Sequence, residues 1–284
     1  MSTLCFDVGG MSIKYAKIKD DTSEIKIESI PTRVTENDNF ILADILDVIE
    51  RKLDSDIKKI AISTAGVVDS KKGEIVFAGP TIPNYTGTKI KETIEAKFSI
   101  PCIVENDVNA AAFGEYKYNK LKGDIFCMTV GTGVGGALII NDDIYTGNTG
   151  TAGEIGYMPL NNNYYQNLAS TTYLLDSVEK KLNTRLNGLE IFERAKNNDK
   201  ICLEAIDNLV DNLTTGMLNI IYILNPSVIV IGGGITAQKE YLENKILNSI
   251  NKKIIDKKFK TEIKLAKLAN SAGLYGMFYL SERI

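Results

Sequence analysis

The 284-residue chain contains no histidine. That absence excludes imidazole general bases, Ser-His-Asp and Cys-His triads, and any zinc site that needs imidazole. Chemistry at neutral pH is left to carboxylates, amides, hydroxyls, backbone groups or a borrowed ion. Cysteine is scarce: Cys5, Cys102, Cys127 and Cys202 are far apart in sequence, mostly in apolar runs, with no Cys-x-x-Cys pair. They read as buried free thiols in a reducing cytosol, not as two disulfides. Long apolar runs are lacking too. The uncharged stretch 212–238 is interrupted by Gly216, Asn225, Pro226 and three glycines, so it reads as helix end, turn and strand rather than a membrane span. The N-terminus, MSTLCFDVGG, has neither a basic region nor a long apolar core, so it is not a secretory signal, and a cytoplasmic location without membrane contact is expected. Charge of one sign is also missing: 33 basic against 36 acidic residues leave a net charge of -3.

What is present is an ordinary globular composition, 44% apolar and 24% charged, at a length that suggests two domains. Strand-like apolar runs alternate with amphipathic helical segments, which predicts α/β layers. Leu4–Val8 reads as a strand, with Ile13–Lys19 and Glu24–Ile30 as antiparallel partners. Asn39–Leu53, Asp107–Tyr118 and Asp199–Leu224 read as helices. Lys59–Ser63, Pro101–Glu105 and Ser227–Ile231 read as further strands. There is an internal echo: Cys5-Phe-Asp-Val-Gly-Gly10 partly reappears as Cys127-Met-Thr-Val-Gly-Thr132, each opening a strand, a glycine turn and a second strand. Duplicated domains facing each other across a cleft would explain it, and so would chance recurrence of short glycine hairpins.

Gly131, Gly133 and Gly136 satisfy G-x-G-x-x-G, but a dinucleotide fingerprint must open a helix. Here Ala137-Leu-Ile-Ile140 and a polar turn follow, so the unit reads as a β-hairpin. No Gly-Lys-Ser/Thr ends any glycine cluster, so a Walker loop is excluded. A glycine turn between strands can still cradle phosphate with successive N–H groups. The first turn, Gly9-Gly10, adds Asp7, able to hold Mg²⁺ through water, and Ser12 and Lys14, able to reach phosphate oxygens. An ordinary hairpin with one buried Asp is the plain alternative.

Polar groups in apolar surroundings form a second constellation: Asn84 after Pro83, Asn106 and Asp107 where a strand meets a helix, and Glu154 between glycines. Asp107 reads either as a helix N-cap or as the acceptor of a proton from a substrate hydroxyl. Asn84, Asn106 and Glu154 read either as turn and cap chemistry or as partners for adjacent hydroxyls of a sugar ring.

The run Asp7-Val-Gly-Gly-Met-Ser-Ile-Lys14, the run Glu105-Asn-Asp107-Val-Asn-Ala-Ala-Ala, the Gly131–Gly136 loop, Gly153-Glu154-Ile-Gly-Tyr157 and Gly232–Gly234 occur in the order seen in ROK-family sugar kinases. The chain resembles that family over about residues 4–280. Ser63-Thr-Ala-Gly-Val-Val-Asp69 and Ala78-Gly-Pro-Thr-Ile-Pro-Asn-Tyr85 look most like bacterial N-acetylmannosamine kinases without a zinc site. The resemblance implies an actin/hexokinase-like fold of two α/β domains closing over ATP-Mg²⁺ and a hexose. The smaller N-terminal domain would be 1–115, joined by a C-terminal helix at 270–284, and the larger one 116–269.

By position, the resemblance makes Asp107 the catalytic base for phosphorylation of the sugar 6-hydroxyl. Gly66, Asn84, Asn106, Asp107, Glu154, Tyr157 and Gln166 would contact the sugar. Asp7, Gly9, Gly10, Ser12, Lys14, Thr132, Gly133, Gly233 and Gly234 would hold the nucleotide, with Mg²⁺ on Asp7. Many relatives carry histidine where Tyr157 stands and a Cys-rich zinc loop shortly after, so no zinc is expected. Gln166 replaces a usual Glu, and Met11 a usual Thr. A homodimer follows by family analogy. Kinases for glucose, N-acetylglucosamine or β-glucosides share the ring-contacting groups. Transcriptional repressors of the same family carry a helix-turn-helix segment ahead of the first hairpin; with the hairpin already at Asp7, a repressor is not expected. The basic run Lys252–Lys260, broken by Ile254, Ile255, Asp256 and Phe259, reads as a solvated face, so no nucleic-acid partner is expected.

Overall fold

The structure is a computed structural model that describes residues 1–19 and 25–284. The chain divides into two units, one of residues 1–121, 146–152 and 270–284, the other of residues 122–145 and 153–269. The expected boundary at 115/116 would have cut a helix. The first unit runs on to Leu121 because that helix continues to Tyr118.

In the first unit β1 (Ser2–Val8) is the central strand and is buried on both faces, with Leu4, Cys5, Phe6 and Val8 in the interior. In chain order β2 (Ser12–Ile18), β3 (Glu28–Pro31), α1 (Ile41–Lys52), β4 (Ile57–Thr64), β5 (Val67–Asp69), β6 (Glu74–Phe77), α2 (Ile90–Phe98), β7 (Cys102–Asn106) and α3 (Asp107–Tyr118) follow. The expected start of the third strand, Glu24, lies outside the described residues. β1 pairs antiparallel with β2, and parallel with β4, giving the order β3-β2-β1-β4-β7. α1 presents Ile41, Ile45, Val48 and Ile49 at helical spacing to the core around Phe6, Ile60 and Ile62.

The second unit contains β8 (Ile125–Val130), β9 (Val134–Ile140), β10 (Asp143–Tyr145), β11 (Pro159–Leu160), β12 (Asn163–Tyr164), α4 (Gln166–Ala169), α5 (Thr171–Leu182), α6 (Gly188–Lys196), α7 (Lys200–Leu224), β13 (Val228–Gly232), α8 (Lys239–Lys253) and β14 (Glu262–Leu265). Its sheet order is β10-β9-β8-β13-β14, with β8–β9 antiparallel and β8, β13 and β14 parallel. The segment after the Gly131–Gly136 cluster is thus a strand, as its apolar run predicts. Both sheets follow one plan, and the Cys5 and Cys127 echoes fall on the corresponding strands β1 and β8.

The last helix, α9 (Ala272–Ser281), returns to the first unit and is buried along almost its whole length. It crosses α3 on small residues. A Cβ at Gly276 would run into Ala110 O, and one at Gly114 into Ala272 O, so glycine is what lets the two backbones meet. Among the described residues no helix is long and apolar enough to cross a membrane.

Candidate active site

The junction of β7 and α3 carries the acid singled out by sequence. Asn106 is still paired with Thr64 across the β4–β7 ladder and keeps extended backbone angles, φ −63° and ψ 145°. Its Oδ1 accepts from the N–H groups of Val108 and Asn109 at 2.9 and 3.1 Å, so Asn106 is the N-cap. Asp107 therefore stands one position inside the helix, half-buried, and capping does not explain it. Its Oδ1 accepts from Asn106 Nδ2 and from the Val108 N–H, both at 3.0 Å. Asn106 Nδ2 also donates to Gly66 O at 3.0 Å. The Asn106 amide is thus engaged inside the protein on both its oxygen and its nitrogen. In this arrangement it brackets Gly66 to Asp107.

Gly66 has φ +100°, and a Cβ there would stand 2.7 Å from Phe77 O, so the position needs glycine. Asn84 sits exposed at φ +55°, a left-handed conformation that Asn tolerates, and its Nδ2 donates to Asn37 O at 2.8 Å. The adjoining Tyr85 is fully buried, its hydroxyl 2.7 Å from Thr64 Oγ1. Burial, and to a lesser extent the Asp107 charge, pushes the Tyr85 phenol up to about 12. The Asn84–Tyr85 turn therefore lies within electrostatic range of Asp107.

At the β1–β2 turn, Gly9 N–H donates to Ser12 O at 3.0 Å, and Met11 stands 91% exposed. Asp7 lies opposite Lys14 on β2 and Ser63 on β4. That register explains its partners: Lys14 Nζ 3.3 Å from Oδ2, and Ser63 Oγ donating to Oδ1 at 3.0 Å. Thr32 steadies the turn by donating from Oγ1 to Gly9 O at 2.6 Å and from N–H to Met11 O at 3.1 Å. A single carboxylate can hold Mg²⁺ through water, because Mg²⁺ keeps several waters and takes its other oxygens from phosphate. The Lys14 ammonium competes for the same carboxylate until a phosphate draws it away. Among the described residues no group of three or more Cys, Asp and Glu is placed to hold a metal on its own.

In the second unit, Gly131 N–H donates to Gly133 O at 3.0 Å and closes the β8–β9 turn. Thr171 N–H reaches Gly131 O at 2.7 Å and Thr172 Oγ1 reaches Thr132 O at 2.8 Å, tying the turn to the start of α5. Ser170 caps α5 by accepting from the Tyr173 N–H at 3.2 Å. A cavity of about 1000 Å³ opens beside the turn, lined by Thr132, Gly133, Gln166, Tyr173, Asp176 and Lys180 among others. Gln166 lies between the turn and the Gly153–Tyr157 segment: Cβ atoms built on Gly133 and Gly156 would be 2.9 and 3.1 Å from its Oε1. Desolvation holds the Glu154 carboxyl above the usual carboxylate range, although the residue keeps an exposed face. Tyr157, 59% exposed, meets Tyr164 edge-on with centroids 6.0 Å apart. Gly233 has φ +90°, and a Cβ there would strike Val130 O.

Each unit thus gathers its own share of the expected residues. Sequence reasoning missed the α5 wall of the cavity, although Ser170 before Leu174 and Val178 is a cap-and-stripe signal. It also missed Ser63, Thr32 and the inward-facing Glu105, which no spacing rule connects to Asp7, Gly9 or Asp107.

Two α/β units that repeat one sheet plan, each opening on a hairpin with a glycine turn, define the actin and hexokinase class of ATPase folds. Residues 3–284 match the ROK family, and the chain belongs to it. It is 42% identical over 280 residues to an uncharacterized protein of Clostridium perfringens, covering 96% of this chain and 95% of that protein. It is 30% identical over 292 residues to a β-glucoside kinase of Listeria innocua, covering 98% of this chain and 97% of that one. Among solved structures, a candidate N-acetylmannosamine kinase of Listeria monocytogenes superposes with a TM-score of 0.88 at 28% identity, covering 100% of both chains.

Proposed function

We propose that this ROK-family sugar kinase transfers the γ-phosphoryl group of ATP to the 6-hydroxyl of N-acetylmannosamine, with Asp107 as general base. The observation that carries the mechanism is the place of Asp107: first residue of α3, relieved of capping by Asn106, with Oδ1 fixed by two donors. Phosphoryl transfer runs through a loose transition state, so the base needs only to orient the hydroxyl and accept its proton late. In the first unit, Gly66, Asn84, Asn106 and Asp107 are assigned to the sugar, with Asn106 holding the other groups in place. Asp7, Gly9, Gly10, Ser12 and Lys14 are assigned to phosphate. In the second unit, Glu154, Tyr157 and Gln166 are assigned to the sugar. Thr132, Gly133, Gly233 and Gly234 are assigned to the nucleotide, for which the cavity of about 1000 Å³ has room. Asp7 would hold Mg²⁺ through water, and the ion would neutralise phosphate charge when bound.

The choice of sugar is supported by the Ser63–Asp69 and Ala78–Tyr85 segments and by full-length similarity to the candidate N-acetylmannosamine kinase. The β-glucoside kinase relative supports the second reading, a glucoside substrate. ADP release measured across N-acetylmannosamine, N-acetylglucosamine, glucose and a β-glucoside separates them, and an equal or higher kcat/KM with any of the others overturns the first choice. Asp107→Asn should fold normally and lose roughly a hundredfold or more in turnover. Near-full activity would remove Asp107 from the mechanism. The homodimer belongs to the same reading, and light scattering of the purified chain tests it.

A further inference from the structure

Glu105, next to last in β7, is 7% exposed, and its two carboxylate oxygens accept three hydrogen bonds. Oε1 accepts from the Asn106 N–H at 2.9 Å and from Asn109 Nδ2 at 3.0 Å. Oε2 accepts from Ser70 Oγ at 2.7 Å. The first two donors belong to the opening turn of α3, which presents Asp107. The third belongs to the β5–β6 hairpin, which begins right after Gly66. That hairpin forms a separate two-stranded sheet; the β4–β7 ladder ends at the Thr64–Asn106 pair, and beyond it, among the described residues, no ladder bond joins β5 to β7. Two side-chain links join it to the head of α3: Asn106 Nδ2 to Gly66 O at one end of β5, and Ser70 Oγ to Glu105 Oε2 at the other. A buried carboxylate is costly unless its oxygens are satisfied, and here their satisfaction requires both elements at once.

We propose that Glu105 and Ser70 form a strut that sets the spacing between Gly66 and Asp107 and thereby governs sugar affinity. Both are positioning residues, and their role rests on the assignment of Gly66 and Asp107 to the sugar. The far side of the hairpin is held by buried Val68 and Ile75 and by backbone bonds of Gly73 and Ile75 to residues 87–91. Loss of the Ser70 link therefore shifts the β5 end beside Gly66 and not the whole hairpin. The sugar then loses one wall of its site, while the phosphate-facing residues of the β1–β2 turn stay where they are.

The test compares Ser70→Ala, Ser70→Thr and Glu105→Gln with the parent enzyme in coupled ADP-release assays and thermal unfolding. Ser70→Ala should raise the sugar KM roughly tenfold, the scale of one hydrogen bond to a charged group, with the ATP KM unchanged. Ser70→Thr keeps the hydroxyl and should keep the parent KM. Glu105→Gln can turn its Nε2 to donate to Ser70 Oγ while Oε1 keeps the other two donors. It should therefore raise the sugar KM less than Ser70→Ala, and the double variant should match Ser70→Ala. Should Glu105→Gln fail to fold, the Ser70 pair alone decides. An unchanged sugar KM in Ser70→Ala overturns the strut, as does a loss spread equally over kcat and both KM values with a lowered Tm. If Asp107→Asn is inactive while the Ser70 variants are normal, the strut fails and the base assignment stands. An active Asp107→Asn removes the assignment on which the strut rests.

Discussion

The β1–β2 turn and the β8–β9 turn hold the same place in two sheets of one strand order, yet they differ in charge. One residue pair back from the last ladder pair, Asp7 faces Lys14 in the first sheet, whereas Thr129 faces Gly135 in the second. The backbone scaffold is repeated and the side-chain chemistry is not. A neutral glycine turn can address an anion through its N–H groups alone. The charged turn adds a carboxylate and an ammonium, which under the proposed function serve a cation and phosphate. Duplication of a fold therefore leaves room for division of labour one residue pair away from the shared motif.

The sharpest way to break this comparison is to substitute the corresponding positions. Asp7→Asn should lower kcat about a hundredfold, the scale of losing a preorganised electrostatic group, while Thr129→Ala should stay within about threefold. Comparable losses in ADP-release assays would erase the distinction. Next in size is Gly273→Ala on α9. A Cβ there would lie 2.7 Å from Asp7 Oδ1 and 3.2 Å from Ser63 Oγ, so the carboxylate must shift. Turnover should fall about tenfold, with an overpacking cost of about 1–3 kcal/mol in denaturant unfolding. Unchanged turnover would mean that the position of Asp7 is not critical.

The neutral turn should be more forgiving. At Gly133 the obstructing atom is the end of the flexible Gln166 side chain, 2.9 Å from a built Cβ. Gly133→Ala should raise the ATP KM only a few-fold and leave Tm nearly unchanged. A tenfold loss would show that both turns are equally constrained. The smallest effect concerns Glu154, whose carboxyl is raised by desolvation. A carboxyl raised on folding makes the protein less stable as pH climbs through its folded value, and has no such effect below its unfolded value. Glu154→Gln should therefore stabilise the second unit at neutral and alkaline pH, with the gain vanishing in acid, while weakening sugar binding. Thermal melts at several pH values check the sign, and a gain that grows in acid would contradict it.

Much of the fold was legible where the signals are local. The helix at Asp107–Tyr118 follows from a strand end, a polar cap and an alanine-rich run, and the structure places it there. The strand after Gly133 follows from an apolar run too short for a helix. The candidate site was less legible. Asn84 and Glu154 stand out as polar groups among glycines and prolines. Nothing in their spacing announces that Asn84 Nδ2 reaches Asn37 O, or that the Glu154 carboxyl is raised. Ser63 meets Asp7 across 56 positions, and Gly273 approaches Asp7 from the far end of the chain. Asn106 could be recognised as one of two cap candidates, but not as the bracket between Gly66 and Asp107.

By itself the sequence determined the chemical repertoire and the local elements. With no histidine, the base had to come from another group such as a carboxylate, and the glycine clusters marked where backbone could approach phosphate. Such properties depend on residue type and on neighbours within a turn or two. Tertiary structure decided what holds each candidate acid. Asn106 caps α3 because the β4–β7 ladder still claims its backbone opposite Thr64, and the helix, starting one residue later, presents Asp107. Partners such as Ser63 for Asp7 and Ser70 for Glu105 are set by strand register and by the docking of a hairpin. Both are collective results of packing that no local stretch of chain encodes.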